Sequence, residues 1–143
     1  MQLSDLVEEF HATRSPGWLV LTPEAAIASG VDAVRYYAAY GDIASLSTGI
    51  NAPLVAPALA PNPLPGKLLD IDESTNLTAG EWAIIRPLFV LYVERECAML
   101  LEASRAAGLE VYGRSVSEIA QDITMMENET LPGKCFSYAV IEV

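Results

Sequence analysis

The chain contains, at residues 77–108, the stretch LTAGEWAIIRPLFVLYVERECAMLLEASRAAG, which has the signals of one long helix. Thr78 and Glu81 have the spacing of a capping box, in which each side chain bonds to the backbone N–H of the other residue. We therefore predict a helix from Ala79 to about Ala107, and the glycine that follows favours its end there.

Two features of this helix indicate how it packs. Pro87 lies inside it, and because proline has no N–H to donate, we expect a kink at that point. From Trp82 to Val93 the helix is apolar nearly all round apart from Arg86, which indicates burial on most sides. Cys97 continues the apolar run, and we interpret it as a buried, unreactive thiol.

Upstream of the helix lies a proline-rich stretch, which we predict to be an extended arm at residues 41–77. Five of the nine prolines fall between positions 53 and 65, where they exclude a helix or a central strand. Disordered linkers are polar, whereas this arm is apolar, so we expect it to lie on a neighbouring subunit. The predicted partner-binding residues are its four large apolar side chains and the tryptophan of the long helix: Leu54, Val55, Leu59, Leu64 and Trp82.

Two shorter helices are predicted before the arm. Residues 3–12 place their apolar side chains at helical spacing. Thr22 and Pro23 are a typical N-cap and first helical residue, so a second helix should begin there and extend to Tyr40, where a glycine follows. Between the two helices, residues 18–21 (WLVL) form either a strand or a buried connector.

After the long helix, Ser115 and Glu118 have a second capping-box spacing, which predicts a helix from Val116 to about Glu127. Residues 128–133 have the composition of a turn, and residues 135–143 (CFSYAVIEV) have that of a strand. The predicted fold is therefore mainly α: a single small helical domain of residues 1–143, with a kinked long helix, a proline-rich extended arm and a short β element that includes the C-terminal strand.

The apolar composition indicates contacts with other subunits. Hydrophobic residues make up 52% of the chain, and the mean hydropathy is +0.30. Both values are high for a soluble monomer of this size and suggest surface that is buried on assembly. No stretch reaches the roughly 20 apolar residues of a membrane span, and the first residues lack the features of a signal peptide. We expect no membrane contact.

The charge balance is strongly acidic. The net charge is −11, with 19 acidic against 8 basic residues. Such a surface repels phosphate groups, so sequence-specific DNA binding is not expected. The acidity either keeps the protein soluble or forms a wall that DNA passes without binding. Candidates for such a wall are three acids on the long helix: Glu94, Glu96 and Glu102.

The chain lacks a recognisable catalytic motif. Residues 70–81 place oxygen donors at the spacing of a calcium-binding EF-hand loop, but Thr75 stands where that loop needs glycine, and Glu81 belongs to the capping box. The single histidine, His11, has no nucleophile that spacing assigns to it. The two cysteines stand far apart and do not form a zinc motif. We expect no catalytic residue, no metal and no cofactor.

Residues 77–127 resemble the corresponding part of the head–tail connector (adaptor, or head-completion) proteins of tailed bacteriophages. The shared features are a long, proline-kinked, Glu-bearing helix followed by a second capped helix, in a small acidic chain with an extended arm. The resemblance implies a non-enzymatic virion protein of the phage neck, which assembles in the host cytoplasm. It also implies a ring of identical subunits, usually twelve, that contacts the portal protein and the tail or collar proteins and leaves a conduit for DNA.

The alternative is a small soluble enzyme or ligand-binding subunit. In that case Trp82 and the tyrosine cluster would line a pocket, because these side chains combine an apolar ring with a polar group. The tyrosine cluster consists of Tyr36, Tyr37 and Tyr40. The mass of the purified protein and its presence in virions distinguish the two hypotheses.

Overall fold

The computed structural model describes residues 1–14, 21–46, 71–108 and 113–137. These residues are mainly helical, as the sequence predicts, and contain no strand. An isolated antiparallel bridge joins Gln2 to Asn76. The elements are, in chain order, α1 (Leu3–Arg14), α2 (Pro23–Ala38), α3 (Ala79–Ala106), α4 (Val116–Met125), a π-helical segment (Met126–Thr130) and α5 (Leu131–Ser137).

Four of the helices begin where the sequence predicts, and three of these starts have their own cap. Helix α1 begins at Leu3 as predicted and ends two residues beyond the predicted residue 12. The Thr22 side chain accepts a hydrogen bond from a backbone N–H of the first turn of α2 at 3.3 Å. Thr78 and Glu81 form the predicted capping box of α3, and Ser115 and Glu118 form that of α4. Such caps satisfy N–H groups that have no partner inside the helix, so short-range sequence is enough to place these starts.

The end of α2 depends on a close contact. The helix ends at Ala38, two residues before the predicted Tyr40. The Gly41 N–H then donates to the Tyr37 carbonyl at 2.8 Å. A Cβ atom at Gly41 would lie 2.7 Å from the Tyr37 ring, so any larger residue at this turn would have to displace that buried ring.

Helices α1, α2 and α3 pack around one apolar core. Phe89 of α3 is completely buried, and its ring meets that of Phe10 at 5.1 Å between centroids in an edge-to-face arrangement. Gly30 lets α1 approach α2 closely, since a Cβ atom there would lie 3.0 Å from Val7. Cys97 is buried, as predicted. The core therefore positions the three helices tightly against one another.

Helix α3 is the longest element. Its 28 residues correspond to a length of about 42 Å. The helix continues through Pro87, and the kink expected there stays a prediction. None of the described helices, α3 included, combines the length and apolarity needed to cross a membrane.

The N-terminal end of α1 is bonded to the residues that lead into α3. The Leu3 N–H donates to the Thr75 carbonyl at 3.0 Å, and the Leu77 N–H donates to the Met1 carbonyl at 2.9 Å. Thr75 and Leu77 are both buried. This backbone pairing keeps the starts of α1 and α3 at the same end of the molecule.

Both ends of the predicted arm, residues 41–77, belong to the helical fold. At one end Ile43 is buried, and the Ala44 N–H donates to the Glu81 carboxylate at 2.7 Å. At the other end Ile71 is buried, and its carbonyl accepts a hydrogen bond from a side chain of α2 at 3.1 Å. The middle of the predicted arm, residues 47–70, lies outside the described residues.

The structure corrects the prediction between α4 and α5. The turn predicted at residues 128–133 is wrong, because the π segment and α5 continue the helix through it. Leu131 is completely buried, and its burial favours this continuation. Pro132 accounts for the wider turn, since a proline ring clashes with the carbonyl four residues earlier in an α-helix. The Leu131 N–H bonds instead to the carbonyl of Met126, five residues earlier.

The predicted C-terminal strand cannot begin at Cys135. Residues 135–137 are the last residues of α5. Residues 138–143 lie outside the described part of the chain, as do residues 18–20 of the WLVL run. Leu21, the last residue of that run, is buried.

Candidate functional site

A groove of about 680 Å³ lies between α1, α3 and α4. Its volume falls within the range of about 300–1,000 Å³ that is typical of ligand pockets. The apolar part of the lining comes from these helices and from the π segment: Phe10, Pro87, Val90, Leu91, Met125 and Met126. Met125 is 59% exposed at the groove. We call this cavity the groove and treat it as the candidate site.

Three of the eight basic residues of the chain line the groove, although the protein as a whole is acidic. Arg114 forms ion pairs with Glu94, at 3.4 Å, and with Asp122. The bond to Asp122 raises the pKa of Arg114 above its already high usual value, so this guanidinium remains charged and paired. Arg114 therefore adds little net charge to the groove.

The other two basic residues keep more of their donor capacity. The Arg14 guanidinium lies 5.8 Å from the centre of the Phe10 ring, a cation–π contact that leaves its N–H groups available. Arg86 forms no ion pair within the described parts of the chain. Each guanidinium has five N–H donors. The groove thus combines an apolar floor with a surplus of hydrogen-bond donors.

Sequence reasoning did not identify these groove residues, because Phe10, Arg86 and Met125 are far apart in the chain. One sequence signal does point to the groove. Arg86 is the single charged residue between Trp82 and Val93. A charge in an otherwise apolar helical run marks the side of the helix that faces away from the core.

Trp82, the described member of the predicted partner-binding set, lies on the core rather than in the groove. It is partly buried, and its ring packs on Phe89 at 5.5 Å between centroids. It also lines a smaller cavity on the α1 side, of about 430 Å³, which none of the clustered tyrosines lines. The other four predicted partner-binding residues lie outside the described residues: Leu54, Val55, Leu59 and Leu64.

The three glutamates predicted to line a DNA conduit have partners within the chain. Glu94 pairs with Arg114, and Glu96 pairs with the neighbouring Arg95 at 3.3 Å. Glu102 accepts a hydrogen bond from the first backbone N–H of α4 at 3.2 Å and is exposed. Glu102 is therefore the member of the three whose negative charge is not offset by an arginine in a described ion pair.

The tyrosine cluster takes part in a contact between helices. Tyr92 of α3 donates a hydrogen bond to the Glu127 carboxylate, and the Tyr36 hydroxyl donates to the Glu127 carbonyl at 3.2 Å. Burial, followed by the bond to Glu127, raises the pKa of Tyr92 above its usual value. Burial also raises the pKa of Tyr37 to about 12. Glu127 thus joins the π segment to α2 and α3.

These pKa shifts predict a loss of stability in alkali. Unfolded tyrosines ionise near pH 10, whereas folded Tyr92 and Tyr37 keep their protons. The stabilisation from these groups is complete below about pH 10 and is lost as the pH rises toward the folded pKa values. Urea unfolding at increasing pH should show this decline. Tyr92→Phe should be less stable than the wild type at neutral pH, but its stability should fall less as the pH is raised.

The other candidate residues have structural partners. Both carboxylate oxygens of Glu81 accept hydrogen bonds, from Ala44 N and from Thr78 N, which leaves them poorly placed to complete a calcium loop. His11 Nε2 lies 2.9 Å from the Leu21 carbonyl and so connects α1 to the start of the next segment. Within the described residues, no group of three or more His, Cys, Asp or Glu side chains is arranged to hold a metal ion.

Comparison of the chain with protein-family models, with curated proteins and with solved structures gave no match.

Proposed function

We propose that this chain is a structural subunit that assembles into a ring at the head–tail junction of a tailed bacteriophage. In this role it bridges the portal protein to the tail or collar proteins and leaves a conduit for DNA. The observation that carries the proposal is the set of large apolar side chains exposed on α3 and α4. Met99 and Leu100 are 50% and 47% exposed on the distal part of α3, and Met125 is 59% exposed at the end of α4.

Exposed apolar side chains at separate places on a small domain favour repeated contacts between identical copies. A single contact between two different surfaces closes into a ring when it repeats with the appropriate rotation. The long helix α3 supports the same proposal, because its C-terminal half carries exposed apolar residues about 30 Å from its capped start.

The proposal is tested by whether the protein forms a ring and whether that ring is present in virions. We expect the purified chain to form a ring in the presence of the portal protein of the same phage, as measured by mass photometry. We also expect cryo-electron microscopy of native particles to place the ring in the neck. A chain that stays monomeric with the portal and is absent from virions contradicts the proposal.

The acidic wall leads to a separate prediction. If α3 faces the conduit, the Glu102→Lys ring should retain double-stranded DNA in a salt-sensitive manner, whereas the wild-type ring should not. Glu8→Lys, at an exposed position on α1, is the matched control and should behave as the wild type. Equal retention by both variants would show that Glu102 faces outward and that the acids serve solubility.

The alternative of a ligand-binding subunit rests on a different observation. The groove has the size of a ligand pocket, and Arg14 and Arg86 offer donors within it. The pocket proposed from the sequence, between Trp82 and the tyrosine cluster, lacks this support, since the two clustered tyrosines with described hydroxyl contacts bond to Glu127 and Asp42. A monomer that binds small molecules in the groove would favour this alternative.

A further inference from the structure

The two ends of residues 47–70, which we call the proline segment, lie at the same end of the molecule. Where the segment begins, Ala44 bonds to Glu81 and the Ser45 hydroxyl donates to the Asn76 carbonyl at 2.7 Å. Where it ends, residues 72–75 form a turn that leads directly to Asn76. The proline segment is therefore much longer than the connection between α2 and α3 requires.

The composition of the proline segment suits an apolar surface. Residues 47–66 contain no charged side chain, and the apolar residues alternate with five prolines. Proline has no N–H, so a chain of this kind has more backbone carbonyl acceptors than donors. Its most favourable binding site would provide an apolar floor and side-chain N–H donors.

The groove has both properties. Its floor is apolar and includes Met125 and Met126, whose flexible side chains adapt to irregular partners. Arg14 and Arg86 supply the donors, and the pairing of Arg114 with two carboxylates offsets part of the positive charge in the groove. Proline-rich segments commonly dock in apolar grooves, because they lose little conformational entropy on binding.

We propose that the proline segment of one copy occupies the groove of a neighbouring copy. This inference rests on the proposed ring-forming function and specifies the contact that joins adjacent subunits. Each copy then offers one segment and one groove, which is the kind of repeated contact that closes into a ring.

Disulfide trapping between two chains tests the proposal. One chain carries a cysteine in place of Leu54, Leu59 or Leu64 in turn, and the other carries Met125→Cys; both also carry Cys135→Ser, and the two differ in mass through a tag. We expect mild oxidation of the concentrated mixture to give a mixed disulfide for at least one of the three positions. Thr124→Cys is the matched control, because this exposed neighbour on α4 does not line the groove, and it should trap far less.

A second measurement tests whether the guanidinium donors of the groove contribute to self-association. Arg86→Leu keeps an apolar side chain at this position but removes the guanidinium, so it should weaken self-association about tenfold or more. Thr124→Leu, outside the groove, should leave self-association unchanged. Unchanged self-association of Arg86→Leu would contradict the role of this donor and, with it, the proposal.

The other outcomes separate this inference from the proposed function. A ring that forms without a disulfide at Met125 overturns the groove contact and leaves the ring standing. A disulfide that forms only within one chain, when a chain with both cysteines is diluted with wild type, shows that the segment binds its own groove and overturns the proposal. The absence of both assembly and disulfide contradicts the inference and the proposed function together.

Discussion

Replacing Phe89 by alanine is expected to lower the free energy of unfolding by about 3–5 kcal/mol. The Phe89 side chain is completely buried, and its ring contacts Phe10 at 5.1 Å and Trp82 at 5.5 Å between centroids. The substitution removes these contacts and leaves a cavity where α1 meets α3. Urea unfolding followed by circular dichroism measures the loss.

Trp82→Ala is the comparison for this variant. The apolar run from Trp82 to Val93 predicts burial of both side chains, but the structure leaves the Trp82 ring only partly buried. We therefore expect a smaller loss of about 1–3 kcal/mol. If Trp82→Ala proves more costly than Phe89→Ala, the tryptophan and not the phenylalanine is the centre of the core.

Glu81→Ala is expected to cost about 2–4 kcal/mol, because a charged group that accepts several hydrogen bonds in a buried position is removed. Glu81 is 8% exposed. Its carboxylate accepts the Thr78 N–H at 2.6 Å within the capping box and the Ala44 N–H at 2.7 Å from the segment after α2. The alanine variant loses the cap and leaves the Ala44 donor without its partner.

The second capping box provides the control. Glu118 has the same position in α4 that Glu81 has in α3, and it accepts the Ser115 N–H at 3.0 Å, but it is exposed. Glu118→Ala should therefore destabilise the protein much less than Glu81→Ala. The loss of stability in Glu81→Gln should lie between those of the two alanine variants, since the amide keeps one acceptor oxygen. Equal losses for the two alanine variants would show that the contact with Ala44 contributes nothing to stability.

The helix starts were predictable from the sequence because their causes are local. Thr22, Thr78 and Ser115 each bond to a backbone N–H within the next three residues, and such spacing is visible in the sequence. The π segment was not predictable in this way. Pro132 and the glycine after it have the composition of a turn, and the burial of Leu131 against distant residues overrides that local preference.

The groove was not predictable from the sequence either, because it depends on contacts between residues that are far apart in the chain. Its floor is assembled from α1, α3 and α4, and no periodicity in any one of them shows that the three will meet. The acidic residues show the same limit. Glu94 is a candidate for the acidic wall, and its position in the sequence does not show that Arg114, twenty positions later, pairs with it.

The pairing of Gln2 with Asn76 has a consequence for how the protein is made. The apolar side of α1, which includes Phe10, is completed by residues near Phe89 that are synthesised much later. At about 5–20 residues per second, a ribosome needs roughly 5–20 s to reach that point and longer to release it from the exit tunnel. During this interval the α1 surface of the nascent chain lacks the partner residues of α3 and is exposed to solvent. Expression yield should therefore depend on chaperones that bind apolar segments of nascent chains.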